Sequence, residues 1–282
     1  MSFISNYHTH NHYCDGENTM EEMVLAAINK GIKYLGISSH APIINEESWT
    51  IQQGAMDTYL GDILYLKERY SRNIEIFTGL EIDYLKDFGL NPLAIPYLPQ
   101  LDYYIGSVHS LAQRKNGTYW FVDDHRENLI QGIEELYGGD IKAAVKDYYN
   151  NVKELVKVYK PDILGHIDII KKNNVNNFFF NEDEAWYKET IRRVLSSVKK
   201  GNTIVEVNTG GIPRYGQHAM YPSTFILEEI CDMGINITVN GDSHHVDHID
   251  YYYEEVYKMV KDIGFKHIMI LTKEGWKPYA LE

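Results

Sequence analysis

Hydrophobic and polar positions along the chain follow two different periods. Residues 20–30 carry methionine, valine, alanine and isoleucine at helical spacing, and Gly31 is placed to cap the C-terminal end. Residues 33–38 then form a short apolar run that indicates a strand. Residues 140–159 repeat the helical spacing, with Asp140 placed to cap the first turn. The pattern therefore predicts helices and strands in alternation.

Further strand-like runs recur between the helical segments. They lie at residues 3–7, 74–80, 102–108, 162–166, 203–207, 236–240 and 267–271. Alternating strands and helices predict an α/β fold with a parallel sheet. With residues 33–38 the count is about eight, which favours a TIM-barrel-like α/β barrel over an open sheet. Residues 110–139 show no clear pattern and are a candidate for a loop over the functional site.

Length and composition are those of a globular protein. The chain has 282 residues, and barrels of about 250 residues are ordinary single domains, so we predict one domain over residues 1–282. Hydrophobic residues make up 44%, enough for a sizeable core. The N-terminus lacks a signal-like apolar stretch, and no run approaches ~20 apolar residues. We therefore expect a cytoplasmic protein with no membrane partner.

Charge and cysteine content narrow the expected partners. The net charge of −13 and the absence of Lys/Arg clusters beyond pairs argue against nucleic acid as a partner, because a polyanion would be repelled. Cys14 and Cys231 are far apart and in no CxxC pattern, which argues against a disulfide framework or a thiolate zinc site. Bound cations would offset part of the negative charge.

Histidine and carboxylate side chains follow nearly every predicted strand, at the end where α/β barrels carry their active sites. They are His8, His10, Asp15, His40, Glu81, His109, His166, Asp242 and His244. Any one of them would more often be a packing or surface residue, and Asp15 alone could equally form a turn. Nine such placements favour a metal centre. Imidazole with carboxylate and no thiolate suits zinc, iron or manganese, and nine candidates exceed one coordination shell.

Six short motifs carry a family resemblance. They are HTH at 8–10, SSHAP at 38–42, GLEIDY at 79–84, SVHSL at 107–111, GHIDIIKK at 165–172 and NGDSHH at 240–245. In this order the chain resembles the polymerase and histidinol phosphatase (PHP) family over roughly residues 6–248. The resemblance implies a distorted (β/α)7 barrel with a centre of three divalent metal ions. The eighth predicted strand would then be peripheral.

The resemblance also distributes the nine side chains among the three ions. The first ion would be held by His8, His10, Glu81 and Asp242, the second by Glu81 with His109 and His166, and the third by Asp15, His40 and His244. Asp15 stands where many relatives have histidine, so the third ion would bind more weakly.

Further details resemble the histidinol-phosphatase branch, in particular EVNTGGIPRYG at 206–216 followed by YPS at 221–223. The resemblance implies hydrolysis of L-histidinol phosphate, a small phosphate monoester, in histidine biosynthesis. A metal-bound hydroxide would attack phosphorus, with Asp242 and His244 as candidates for a proton relay. Arg214 is the candidate for binding phosphate.

Acidic or aromatic candidates for recognising histidinol are Glu17, Asp83, Tyr103 and Tyr104. Alternative functions are another PHP phosphoesterase acting on nucleotides or small esters, an amidohydrolase-like barrel, or a noncatalytic metal-binding protein. An amidohydrolase should lack Glu81 and the SVH motif in their present places. The oligomeric state is not predicted.

Overall fold

Strands and helices alternate along residues 3–45 and 47–281, which are the residues described by the computed structural model. The strands are β1 (Ser5–Asn6), β2 (Tyr34–Ile37), β3 (Glu75–Thr78), β4 (Glu81–Leu85), β5 (Gly89–Leu90), β6 (Ile105–Ser107), β7 (Ser110–Gln113), β8 (Tyr119–Phe121), β9 (Ile163–Leu164), β10 (Ile204–Asn208), β11 (Ile237–Asn240), β12 (His267–Thr272) and β13 (Gly275–Ala280). The α-helices are α1 (Met20–Asn29), α2 (Met56–Arg69), α3 (Arg126–Tyr137), α4 (Ile141–Glu154), α5 (Ala185–Gly201), α6 (Ile212–Tyr215), α7 (Thr224–Asp232) and α8 (Tyr253–Ile263). A strand lies within each of the eight segments predicted from sequence or overlaps it.

Helix ends follow the local sequence signals. At α1, the Thr19 side chain accepts a hydrogen bond from the Glu22 backbone, and Glu22 accepts one in return from the Thr19 backbone. Gly31 follows this helix with a φ of 78°, a left-handed conformation that glycine adopts readily. At α4, the Asp140 side chain accepts a hydrogen bond from the Ala143 backbone at 3.0 Å. The two caps predicted from sequence, Gly31 and Asp140, are therefore confirmed.

The strands form parallel sheets, which confirms the α/β class. One sheet has the order β1-β2-β3, and the other has the order β11-β10-β9-β6-β4, with β5 antiparallel at its edge. The chain passes from the first sheet to the second between β3 and β4. Isolated parallel bridges between Thr9 and Ser243 and between His40 and Glu81 join the sheets at two places. Hydrogen bonding over the described residues therefore gives two linked sheets and not one continuous closed sheet.

The eighth predicted strand, β12, lies outside the parallel sheets, as the resemblance implies. It pairs with β13 as an antiparallel hairpin. The hairpin is attached to the end of β1 through the buried Tyr7, whose hydroxyl donates to the Leu271 carbonyl at 3.0 Å and accepts from the Leu271 backbone N–H at 2.7 Å.

Residues 110–139, the candidate for a loop over the functional site, contain regular secondary structure. They form the β7–β8 hairpin, which contains a bulge between Ser110 and Ala112, and helix α3. The hydrophobic pattern was weak because the strands are short and α3 buries only Leu129, Gly132 and Ile133. The segment that follows β8 lies at the edge of the functional pocket described below.

Helices and strands share one large hydrophobic cluster. Val24 of α1, Ile63 of α2 and Leu195 of α5 are fully buried in the same cluster as Leu35 of β2 and Val207 of β10. Packing the helices on the parallel strands leaves the carboxyl ends of the strands for polar side chains. Among the described residues, no helix has the length and apolar character needed to cross a membrane.

Candidate metal centre

The nine metal-competent side chains predicted from sequence meet at one edge of the sheets. His8 and His10 follow β1, His40 follows β2, Glu81 follows β3 and begins β4, His109 follows β6, His166 follows β9, and Asp242 and His244 follow β11, while Asp15 lies in the loop after β1. Because the carboxyl ends of parallel strands meet at the same edge, residues distant in sequence become neighbours.

Glu81 is the centre of this cluster and is fully buried. Its Oε2 lies 3.1 Å from His8 Nε2 and 2.9 Å from His40 Nδ1. Its Oε1 lies 2.9 Å from His166 Nε2 and 3.5 Å from His109 Nε2. Burial alone would raise the pKa of Glu81, but the surrounding histidines hold that pKa well below its usual range. His10 Nε2 lies 3.6 Å from Oε2, so the anionic carboxylate has five imidazoles within 4 Å.

Asp242 lies between the two histidines that follow β1 and His244, which follows β11. Its Oδ1 lies 3.0 Å from His10 Nε2, and 3.6 Å from both His8 Nε2 and His244 Nδ1. Burial acts to raise the pKa of Asp242, but His8, His10 and His244 lower it well below the usual value. The backbone φ of Asp242 is 43°, in the left-handed region that few non-glycine residues occupy.

Asp15 forms the outer part of the cluster, and 36% of its side chain is exposed. Its Oδ1 lies 3.2 Å from His244 Nε2, 3.8 Å from His40 Nε2 and 3.9 Å from His10 Nδ1. The loop after β1 thus brings this carboxylate to the imidazoles at the ends of three strands.

Three overlapping groups among the described residues have donor atoms close enough to hold a metal ion. They are His10, Asp15, His40 and His244; His8, His10 and Asp242; and His40, Glu81 and His109, with the donor atoms in each group within 4.8 Å of one another. These groups differ in detail from the distribution that the resemblance implies, because His10 occurs in two groups and His40 lies with Glu81 and His109. The tertiary packing of these side chains decides which residues belong to more than one group.

Two buried nitrogens in these groups fit a metal ion better than a hydrogen bond. His10 Nε2 and His40 Nδ1 have no hydrogen-bond partner among the described residues, although carboxylate oxygens lie 3.0 and 2.9 Å away. Burial, reinforced by the neighbouring His244 and His40, lowers the pKa of His10 to about 3. Its imidazole is therefore neutral, the form that binds a metal ion.

A pocket of about 390 Å³ opens onto the cluster. Six of the nine metal-competent side chains line it: Asp15, His40, His109, His166, Asp242 and His244. Arg214, the residue predicted to bind phosphate, lies in the same wall together with Lys172. The Lys172 ammonium donates to the Asp123 carbonyl and lies 4.7 Å from the centre of the Tyr215 ring. One pocket therefore combines metal-competent side chains with two cationic ones.

Comparison with known protein families identifies the family of this chain. A family model described as the PHP domain matches residues 6–210, which is most of the chain. The chain belongs to the PHP family. This membership confirms the resemblance inferred from the six sequence motifs.

Three relatives of this PHP chain are similar to it over nearly their full length. The histidinol-phosphatase of Bacillus subtilis is 26% identical over 264 residues, which cover 88% of this chain and 96% of the relative. The solved structure of HisK from Listeria monocytogenes has a TM-score of 0.75 at 26% identity, covering 89% of this chain and 99% of that one. Histidinol phosphate phosphatase from Lactococcus lactis, solved with zinc, L-histidinol and phosphate, has a TM-score of 0.71 at 19% identity, covering 97% and 98%. At 19% identity, the comparison with the Lactococcus lactis structure shows a shared fold.

Glu206 is a residue of the PHP centre that the sequence reasoning missed. Its fully buried Oε1 accepts hydrogen bonds from His8 Nδ1 at 2.7 Å and from Asn240 Nδ2 at 2.9 Å. Its Oε2 accepts from the His166 backbone at 3.0 Å and from Asn208 Nδ2 at 2.9 Å. The carboxylate therefore orients His8 so that Nε2 faces Glu81. A charged residue within the apolar run of β10 was the available signal.

Asp83 plays the corresponding role for His109, which corrects its prediction as a histidinol contact. Its Oδ1 lies 2.8 Å from His109 Nδ1, and the residue is fully buried. Because the carboxylate lies behind the imidazole, it is not part of the pocket wall.

The other predicted histidinol contacts, Glu17, Tyr103 and Tyr104, also lie outside the pocket wall. The Tyr103 hydroxyl donates to the Tyr7 carbonyl at 2.5 Å, and the Tyr104 hydroxyl donates to the Tyr159 carbonyl at 2.6 Å. Tyr103 packs over Gly36, where an added Cβ would lie 2.0 Å from its hydroxyl. Both tyrosines thus bind backbone inside the fold, and those predictions are wrong.

Proposed function

We propose that this PHP chain hydrolyses L-histidinol phosphate to L-histidinol and phosphate at a centre of three divalent metal ions, which are zinc, iron or manganese. The observation that carries the proposal is the convergence of three metal-competent groups at the pocket that Lys172 and Arg214 also line. The named activity of the Bacillus subtilis relative, aligned over 88% of this chain, supports the choice of substrate.

The proposed ligands are the nine side chains described above. His8, His10, Glu81 and Asp242 would hold one ion, Glu81 with His109 and His166 a second, and Asp15, His40 and His244 the third. The position of Glu81, with one oxygen near His8 and His40 and the other near His166, supports its role as the bridge. When bound, the ions would neutralise phosphoryl oxygens and lower the pKa of water.

Lys172 and Arg214 bind the non-bridging phosphate oxygens in this proposal. A guanidinium offers two parallel N–H donors to a phosphate, and an ammonium adds a point charge. The contact of Lys172 with the Asp123 carbonyl limits its freedom before substrate arrives. Less side-chain entropy is then lost on binding.

Asp242 and His244 serve as the proton relay to the leaving alkoxide. An alkoxide is a poor leaving group, so a proton delivered to the ester oxygen lowers the barrier. His244 Nδ1 lies 3.0 Å from the Asp242 carbonyl oxygen and 3.6 Å from its Oδ1, while His244 also lines the pocket. Asp242 thus holds the His244 imidazole at the side of the pocket where the ester would bind.

The two linked parallel sheets would correspond to a distorted (β/α)7 barrel, with the Thr9–Ser243 and His40–Glu81 bridges supporting closure. The barrel would be one domain over residues 1–282. Its partner would be a small-molecule phosphate monoester in the cytoplasm, without nucleic acid or membrane.

The deciding experiment compares kcat/KM for L-histidinol phosphate with values for p-nitrophenyl phosphate, a sugar phosphate, a nucleoside monophosphate and a dinucleotide, with each metal supplied in turn. We expect L-histidinol phosphate to exceed the others by several orders of magnitude. His8→Ala and Asp242→Ala should abolish the activity, whereas His267→Ala, an exposed histidine in β12, should not. A higher value for a nucleotide or a generic ester would contradict the substrate assignment and favour another PHP phosphoesterase.

A further inference from the structure

We propose that Glu47, Trp49, Phe121 and Asp123 form a subsite that binds a cationic, ring-bearing leaving group and so selects the substrate. All four line the pocket that opens onto the metal-competent cluster. The inference rests on the proposed function, since it assigns the residues that recognise the alcohol part of the phosphate ester. We call these four residues the leaving-group wall.

The aromatic half of the wall adjoins the metal-competent histidines. The Trp49 ring contacts His40 edge-on at a centroid distance of 4.8 Å and lies 5.9 Å from His109. The same ring meets Phe121 edge-on at 5.4 Å. Trp49 comes from the segment before α2, whereas Phe121 ends β8, so two separate segments build one aromatic corner beside the reaction centre.

The carboxylates of Glu47 and Asp123 form no hydrogen bond and no ion pair with the side chains of the other described residues. The adjacent Asp124 differs, because its Oδ1 accepts from the His125 backbone at 2.6 Å and its Oδ2 accepts from Asn128 Nδ2 at 2.7 Å. Asp124 therefore stabilises its own loop. Partial removal of a carboxylate from water without a partner is unfavourable, and a cationic ligand would reverse that cost.

Charge determines which part of a substrate these carboxylates can face. A phosphate dianion is attracted to Lys172, Arg214 and bound metal ions, and it is repelled by Glu47 and Asp123. The leaving group must therefore meet the carboxylates. An amino alcohol with an imidazole ring suits the wall, because its ammonium can pair with a carboxylate and its ring can pack against Trp49 and Phe121. Sugar phosphates and nucleotides would leave both carboxylates unpaired, which disfavours them.

The test uses Glu47→Gln, Asp123→Asn and the double variant of the metal-loaded enzyme. We expect each single variant to lower kcat/KM for L-histidinol phosphate by about 10- to 100-fold, the range for losing a charge-assisted hydrogen bond, mainly through KM. Activity on p-nitrophenyl phosphate should stay within about twofold, because its leaving group carries no cation. Glu254→Gln, which removes an exposed charge from α8, is the matched control.

Binding of L-histidinol itself, measured by titration calorimetry, separates this proposal from the proposed function. Weaker binding to both single variants than to the wild type supports the leaving-group wall, even if the wild type shows no preference for L-histidinol phosphate and the proposed function fails. Equal affinity in wild type and variants, with melting temperature and metal content unchanged, overturns the wall while leaving a substrate preference of the wild type intact. A phosphate ester of 3-(imidazol-4-yl)propanol, which lacks the ammonium, should be hydrolysed equally by the wild type and the two single variants.

Discussion

A single buried carboxylate shows how the centre is held in place. Glu206 is fully buried, and four donors approach its two oxygens, two on each. Burial acts to raise the pKa of Glu206, but His8 beside it lowers that pKa, so the group is anionic. A carboxylate is the acceptor this arrangement requires, because every neighbour donates. The orientation of His8 depends on it.

Glu206→Gln should therefore weaken metal binding by about 10- to 100-fold, the usual effect of losing a carboxylate behind a ligand. The carboxamide would turn its NH₂ group towards two donors, whichever way it is oriented, and His8 would lose its fixed position. Metal affinity is measured by competition with a chromophoric chelator. Glu254→Gln is the control, and unchanged affinity in Glu206→Gln would show that His8 needs no such partner.

At the scale of elements, two loops must approach closely to place Asp242. The loop after β10 contains Gly210, where an added Cβ would lie 2.6 Å from the Asp242 Cβ and 2.8 Å from the Asp242 carbonyl oxygen. Neither atom is the end of a flexible side chain. The glycine therefore allows the loops after β10 and β11 to pack together, and this contact positions a proposed metal ligand.

Gly210→Ala should displace Asp242 and lower kcat/KM by about 100-fold or more, the effect of a misplacement of about 1 Å at a reacting centre. Metal content, measured after dialysis, should fall with it. Gly61→Ala is the matched control, since an added Cβ in α2 meets no atom within 4 Å. That control should keep full activity and gain about 0.5–1 kcal/mol in unfolding free energy. Normal metal binding in Gly210→Ala would contradict this prediction, because it would show that the two loops can move apart without loss of the metal site.

At the scale of the whole molecule, the net charge of −13 and the buried carboxylates make folding dependent on bound cations in our proposal. The centre joins residues after β1, β2, β3, β6, β9 and β11, so ions bound there would connect both sheets. A ligand that binds only the folded state stabilises that state in proportion to its occupancy.

Removal of metal by a chelator should therefore lower the melting temperature. Free ion at about a thousandfold above Kd contributes about 4 kcal/mol. At about 2–4 °C per kcal/mol, the loss is roughly 10 °C for each such ion that is removed. Differential scanning calorimetry with chelator, and after zinc is restored, measures the shift. A His8→Ala/Asp242→Ala variant should respond much less, and an equal response in both proteins would place the stabilising ions elsewhere.

Local signals made much of this protein predictable from sequence alone. The α/β order, the Asp140 cap and the strand-end position of the nine metal-competent residues follow from hydrophobic period and cap chemistry, which depend on residues a few positions apart. The parallel arrangement then brings strand ends to one edge, so the convergence of His8, Glu81 and Asp242 was foreseeable. The hairpin and helix in residues 110–139 were missed because each buries too few residues to produce a clear pattern.

Only tertiary structure decided which donors share a group and which residues support them. The sharing of His10 and His40 between groups depends on side-chain rotamers that no spacing rule contains. Glu206 reaches His8 across 198 positions in sequence, and the Trp49–Phe121 corner joins two segments with no common motif. The sequence by itself determined the elements and the chemistry at their ends, because periodicity acts locally. The packing of distant segments determined the partners of each group and the wall of the pocket.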